Sequence, residues 1–337
     1  MEITNTQTHR RPVPHRNQGM YRLLLLALLN VGNASVADDR VAQSPYGAED
    51  EVGALNVLDD ASRLAVLSKI ASGKVYDLSV DNFPGMPGLV HLGMGDPDFH
   101  MWMTHTPDGL AVEGISITGD EHPADLYDDA VIMSSHTGTH IDALNHVGYH
   151  DRIWNDFERS KYLGNKGWKK AGTDTIPPIV TRGVLIDVAA WKGLAVLPDS
   201  YEITPSDLEA TLKAQGVTLA KGDAVFIRTG RMAYWPDPKR YVPHEPGIAY
   251  DGAHWLIERG TVLIGADNIA IERLPIEGKA VHAYAFAERG VCLIENVWLE
   301  DVARDRVYTF ALVAAPIKVR GATGSSLRPL AFPLAGD

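Results

Sequence analysis

From about residue 45 onward, short β-rich apolar runs alternate with segments of helical spacing, the pattern of an α/β fold rather than of separate all-α and all-β blocks. Residues 58–71 carry Leu64, Leu67 and Ile70 at helical spacing, and residues 74–80 then read as a strand. Thr204-Pro205-Ser206-Asp207 opens another helix: Thr204 suits the N-cap, Pro205 the first helical position, and an acid follows in the first turn. Gly216 is placed to end it. Residues 183–188, 224–228, 262–266 and 290–294 are apolar runs bounded by Gly, Asp or Asn, as buried strands are. Nothing between them reads as a linker, and no internal repeat is visible. The Pro- and Gly-rich stretches 83–95 and 236–247 read as surface loops able to rim a pocket. A single domain over residues 38–337 is expected.

The first 37 residues read differently. Scattered His and Arg precede an apolar run from Leu23 to Leu29, and Ser35 and Ala37 are the small residues a signal peptidase accepts. Cleavage after Ala37 and a periplasmic or secreted protein are expected, with a cytoplasmic one as the alternative. The run is too short to span a bilayer and no cysteine follows it, so no stable membrane anchor is expected. A net charge of −12 offers no surface for a phosphate backbone, which makes nucleic acid an unsuitable partner. Cys292 is the only cysteine, in the apolar run Val291-Cys292-Leu293-Ile294. That excludes an intramolecular disulfide and a thiolate zinc site.

The chemistry concentrates in Ser135-His136-Thr137-Gly138-Thr139-His140-Ile141-Asp142-Ala143-Leu144-Asn145-His146. Four histidines fall between His136 and His150, where 13 spread evenly over 337 residues would place about 0.6. His136, His140, Asp142 and His146 are separated by even steps, so an extended chain would turn them to one face. Four extended residues span about 13 Å, too far for donors sharing one ion, so the chain must bend between His136 and His140. Gly138 is where it can. Two imidazoles and a carboxylate suit Zn²⁺ or Mn²⁺, and such an ion lowers the pKa of a water it binds and polarises a carbonyl. A helical turn from Asp142 would bring His146 to the same face as a proton shuttle, general base and then acid.

These residues resemble the cyclase-like metal hydrolases that include kynurenine formamidase and isatin hydrolase, whose signature reads H-x-G-T-H-x-D-x-P-x-H. His136, Gly138, Thr139, His140, Asp142 and His146 fall on it in order, with Leu144 where proline is usual. The resemblance runs from Glu51-Val52-Gly53-Ala54-Leu55-Asn56 and Val75-Tyr76-Asp77-Leu78-Ser79 to Gly321-Ala322-Thr323-Gly324-Ser325-Ser326-Leu327-Arg328, and is to the longer branch of the family. It implies a mixed β-sheet with flanking helices in one domain, and a homodimer. It also implies one or two divalent ions: His136, His140 and Asp142 hold the first, Asp142 bridges, and His282 and Glu295 hold the second. His146 is the catalytic residue it implies.

The expected function is therefore hydrolysis of an amide, formamide, lactam or lactone of a small, aromatic or cyclic substrate. Two alternatives stand beside it: a cyclase or dehydratase using the same ion, and an exported metal-containing binding protein without turnover. The chain has no G-x-S-x-G elbow, phosphate loop or H-E-x-x-H helix. Gly93-Met94-Gly95 is only a fragment of a dinucleotide fingerprint. His91, Phe99, His100, Trp102 and His105 form an aromatic and histidine group that could line the pocket from a loop.

Overall fold

Four apolar runs at the middle of the sequence pair side by side as parallel strands: Ile179–Asp187, Ala224–Arg228, Leu263–Ala266 and Cys292–Glu295. They lack an alternating pattern because helices and loops cover both faces, leaving nearly every residue buried. The computed structural model describes residues 40–115 and 124–335. The segment 1–37, expected to be a signal peptide, lies outside the described residues. The described residues from Arg40 onward form a compact unit by their own contacts.

Antiparallel strands extend this core on both sides into a mixed sheet. Its order is Tyr76–Asp77, Leu330–Pro333, Thr309–Ala314, Ile179–Asp187, Ala224–Arg228, Leu263–Ala266, Cys292–Glu295, His140–Asp142, Gly324–Ser326. The helix Pro205–Gln215 crosses between the first two parallel strands, and Tyr250–Ile257 between the next two. Pro205–Gln215 starts as its sequence dictates: Thr204 accepts from Asp207 N, Asp207 answers with its side chain, and Gly216 ends the helix at φ +71°. Asp207, Leu208, Thr211 and Leu212 form its buried face, at the helical period.

Three expectations are corrected. The helix expected over 58–71 spans only Asp60–Leu67, capped by Asp59, and buries no residue; Leu64 is 68% and Leu67 41% exposed. The strand expected over 74–80 pairs only at Tyr76–Asp77. The stretch 236–247 is not a surface rim: Tyr241 is fully buried and packs with Met232, Val242 and Ile269 in a satellite core. Cys292 is a free, buried strand residue whose thiol burial pushes up to about 12.

Candidate metal centre

The strand His140–Asp142 is built into the sheet between two antiparallel neighbours, which fixes where its side chains go. His140 stands opposite Glu295 on one side and Ser326 on the other, and Asp142 opposite Leu293 and Gly324. His140 and Asp142 share a face because they are two residues apart. Glu295 joins that face as His140's cross-strand partner, leaving 3.2 Å between His140 Nε2 and Glu295 Oε2. His140 Nε2 also lies 3.3 Å from Asp142 Oδ1.

His136 reaches the same point from the preceding turn, with Nδ1 2.7 Å from Asp142 Oδ1. The turn depends on Gly138, which has φ +60°; a Cβ there would collide with the Asn82 side-chain oxygen. Gly324 is the counterpart across the sheet, where a Cβ would sit 2.6 Å from His136 Cε1. His282 comes from the short helix Val281–Ala283, placing Nε2 3.1 Å from Glu295 Oε1 and 3.6 Å from Asp142 Oδ2. His146 is carried by a β-turn closed by His146 N donating to Ala143 O, rather than by the helical turn expected. Its Nε2 is 3.9 Å from Asp142 Oδ2, and 28% of its side chain remains exposed. All six residues singled out from the sequence thus meet around Asp142.

The outward nitrogens decide what the inward ones can do. His140 Nδ1 is 2.9 Å from the Gly138 carbonyl, which can only accept, so Nδ1 carries the proton and Nε2 presents a lone pair. His282 Nδ1 is 2.6 Å from Glu272 Oε1, which assigns it the same tautomer. With the rings neutral, lone pairs on Nε2 face carboxylate oxygens of Asp142 and Glu295, an arrangement that is repulsive unless a cation or a second ring proton lies between them. Among the described residues, His140 Nε2 and Asp142 Oδ2 are buried with no hydrogen-bond partner. Such groups are costly unless something coordinates them. The donor set, imidazole nitrogens and carboxylates, fits Zn²⁺ or Mn²⁺. Two clusters of ligand size share Asp142: His136, Asp142 and His146, and His140, Asp142 and Glu295.

The electrostatics agree. Burial alone would lower the pKa of His140, but in the ion-free site Asp142 and Glu295 outweigh it and push it up to about 10, so a proton holds the place on Nε2 that a metal would take. Burial would raise the Asp142 carboxyl, yet the facing imidazoles hold it well below the usual range. The site calls for positive charge that no lysine or arginine of the cluster supplies. His146 behaves oppositely: burial, reinforced by His136 and His282, lowers it to about 4, so it is neutral near pH 7.

Sequence reasoning missed the supports. Glu272 accepts from Val281 N and His282 Nδ1, and Thr323 Oγ1 lies 3.0 Å from His136 Nε2. Asn296 donates to the Gly138 carbonyl that orients His140 and accepts from Tyr241. The signals were a lone acid closing an apolar run at Glu272, and the Gly321 to Arg328 segment. Of the aromatic and histidine group, Phe99 is buried and, with Met86, Leu89 and Val90, surrounds a space of only about 10 Å³ beside His136. His100, Trp102 and His105 lie on an exposed hairpin, and His91 bonds to Gly88.

The family model described as "Putative cyclase" matches residues 76–273. The chain belongs to the cyclase family. That match takes in His136, His140, Asp142, His146 and Glu272, while His282 and Glu295 follow it. Cyclase-like protein 3 of Oryza sativa subsp. japonica is 27% identical over 202 residues, 58% of this cyclase-family chain and 62% of the rice protein. Kynurenine formamidase of Bacillus thuringiensis subsp. konkukian (strain 97-27) is 28% identical over 205 residues, 60% of this chain and 78% of the relative. Among solved structures, one titled as a novel cyclase superposes with TM-score 0.76 at 29% identity, covering 87% of this chain and 99% of its own. Isatin hydrolase A from Labrenzia aggregata, bound to benzyl benzoate, gives TM-score 0.58 at 25% identity over 80% and 98%.

Proposed function

We propose that this chain is a metal-dependent hydrolase that cleaves an amide, formamide, lactam or lactone of a small aromatic or cyclic substrate. The observation that carries the reading is the pairing of a buried, cation-demanding cluster with a neutral, partly exposed His146 at its open side. His136, His140, Asp142, His282 and Glu295 would hold one or two ions, Zn²⁺ or Mn²⁺. When bound, the metal supplies Lewis acidity toward water and a carbonyl oxygen. His146, with its imidazole free to accept, takes the proton from the attacking water and returns it to the leaving nitrogen or oxygen. Asp142, 3.9 Å away, stabilises the imidazolium formed in between. Relatives named kynurenine formamidase and isatin hydrolase support the amide class.

The test is a panel of N-formyl aryl amines, isatin-like lactams and aryl lactones, with products read by mass. Gain of one water upholds hydrolysis, whereas unchanged or lost mass would assign a cyclase or dehydratase. Tight metal binding without turnover of any compound would favour a binding protein.

We further propose export on the strength of the segment 1–37, and a homodimer. The hairpin His100–His105 with Asp128–Ile132 exposes Met101, Trp102, Met103, Val131 and Ile132. A two-stranded ribbon is marginal in water on its own, and a second copy of the chain would cover it. Among the described residues no helix is long and apolar enough to cross a membrane.

A further inference from the structure

A cavity of 690 Å³ opens away from the cluster, and none of the six cluster residues lines it. Its walls include the tight hairpin Leu163–Gly164 with Gly167–Trp168 and the segment Arg320-Gly321. Lys166, Lys169 and Arg320 are exposed on these walls, and none of the three forms an ion pair with a described residue. The acids beside them are already engaged. Glu51 accepts from Lys170 Nζ and Ala171 N, and Asp174 accepts from Gly321 N. Four cations, Lys166, Lys169, Lys170 and Arg320, outnumber the two acids Glu51 and Asp174 on these walls, so net positive charge gathers in one concavity of a chain whose net charge is −12. Trp168 is half-buried and also lines the cavity. The volume falls within the range of small-molecule sites.

We propose that this cavity is a second ligand site, taking a small aryl carboxylate: the anion on Lys169 and Arg320, the ring against Trp168. It is coupled to the metal centre through two short paths. Gly321 is bonded to the wall on both sides, its nitrogen to Asp174 and its carbonyl to Trp168 N at 3.2 Å; two residues later Thr323 holds His136. Asn145, next to His146, donates to the Lys170 carbonyl at 3.4 Å. A ligand that orders the hairpin and Arg320 thus acts on the turns that aim His136 and His146.

The test titrates the metal-loaded protein with benzoate, with benzyl alcohol as ring without charge and inorganic phosphate as charge without ring. One saturable benzoate site is expected, at least about tenfold tighter than either control and weakened at least about tenfold in K169E/R320E. Both side chains are exposed and form no ion pair with a described residue, so that variant should melt with the wild type; K169Q should show a smaller loss in the same direction. Benzoate should also change the rate at which a chelator strips the metal from wild type and leave K169E/R320E unaffected. Unchanged affinity in K169E/R320E, phosphate binding as tightly, or no saturable binding would each overturn the site. A stripping rate indifferent to bound benzoate would overturn the coupling.

Discussion

His146 and the five residues proposed as ligands share one cluster, yet they should fail differently when removed. His146→Ala is expected to keep bound metal while lowering turnover by about 10²–10⁴-fold, as loss of a proton shuttle does. His140→Ala is expected to lose the metal itself, since it deletes an inward nitrogen. Metal content by atomic absorption beside kcat separates the two, and full turnover by His146→Ala would remove it from the mechanism. Glu272 acts one bond further out. Glu272→Gln should weaken metal binding about 10–100-fold with the fold intact, because His282 loses the carboxylate that fixes its tautomer. A competitive chelator titration measures this, and unchanged affinity would contradict the role assigned to Glu272. The difference in legibility between these residues is physical. His136 to His146 lie within eleven positions, so local spacing exposes them; Thr323 meets His136 across 187 positions, and only pairing of the strands Gly324–Ser326 and His140–Asp142 brings it there.

At the scale of elements, the buried strands and the helix Pro205–Gln215 were readable because their signals are local: β-branched runs, an N-cap box, a C-terminal glycine. The helix Asp60–Leu67 was readable as a helix but not in its orientation, since leucine spacing says nothing about which surface the rest of the chain covers. A second element was invisible. Asp50 ties the N-terminal segment to the body: it accepts from Ser44 Oγ, Val52 N, Gly53 N, Asn56 Nδ2 and Trp154 Nε1. Burial would raise its carboxyl, but these donors outweigh it and hold the pKa below the usual value. Its stabilisation is therefore complete above the unfolded pKa of about 4 and is lost as pH falls through the folded one. Asp50→Ala should cost about 1–3 kcal/mol at neutral pH, and the deficit should shrink in acid. Urea melts of both proteins across that range check it; a deficit independent of pH would contradict the ionised hub.

At the scale of the whole molecule, the sequence revealed an α/β class, and the mixed sheet came with the family resemblance. The sheet order could not be read directly, because it depends on antiparallel returns from 309–333 to both edges. That same return brings Gly324 against His136, so Gly324→Ala should displace the ring and lower metal occupancy while leaving the distant strands unchanged. The exposed hairpin carries the proposed dimer: Trp102→Glu should shift the protein to monomer by light scattering, and an unchanged mass would point to another interface.

The claim that unites these scales is that a divalent ion makes this cluster a catalyst. The most direct measurement is turnover of a hydrolysed panel compound by one preparation before chelation, after it, and after stoichiometric return of Zn²⁺ or Mn²⁺, with bound metal quantified at each stage. Activity that disappears with the metal and returns in proportion to it is the expected result. Undiminished turnover by metal-free protein would contradict it.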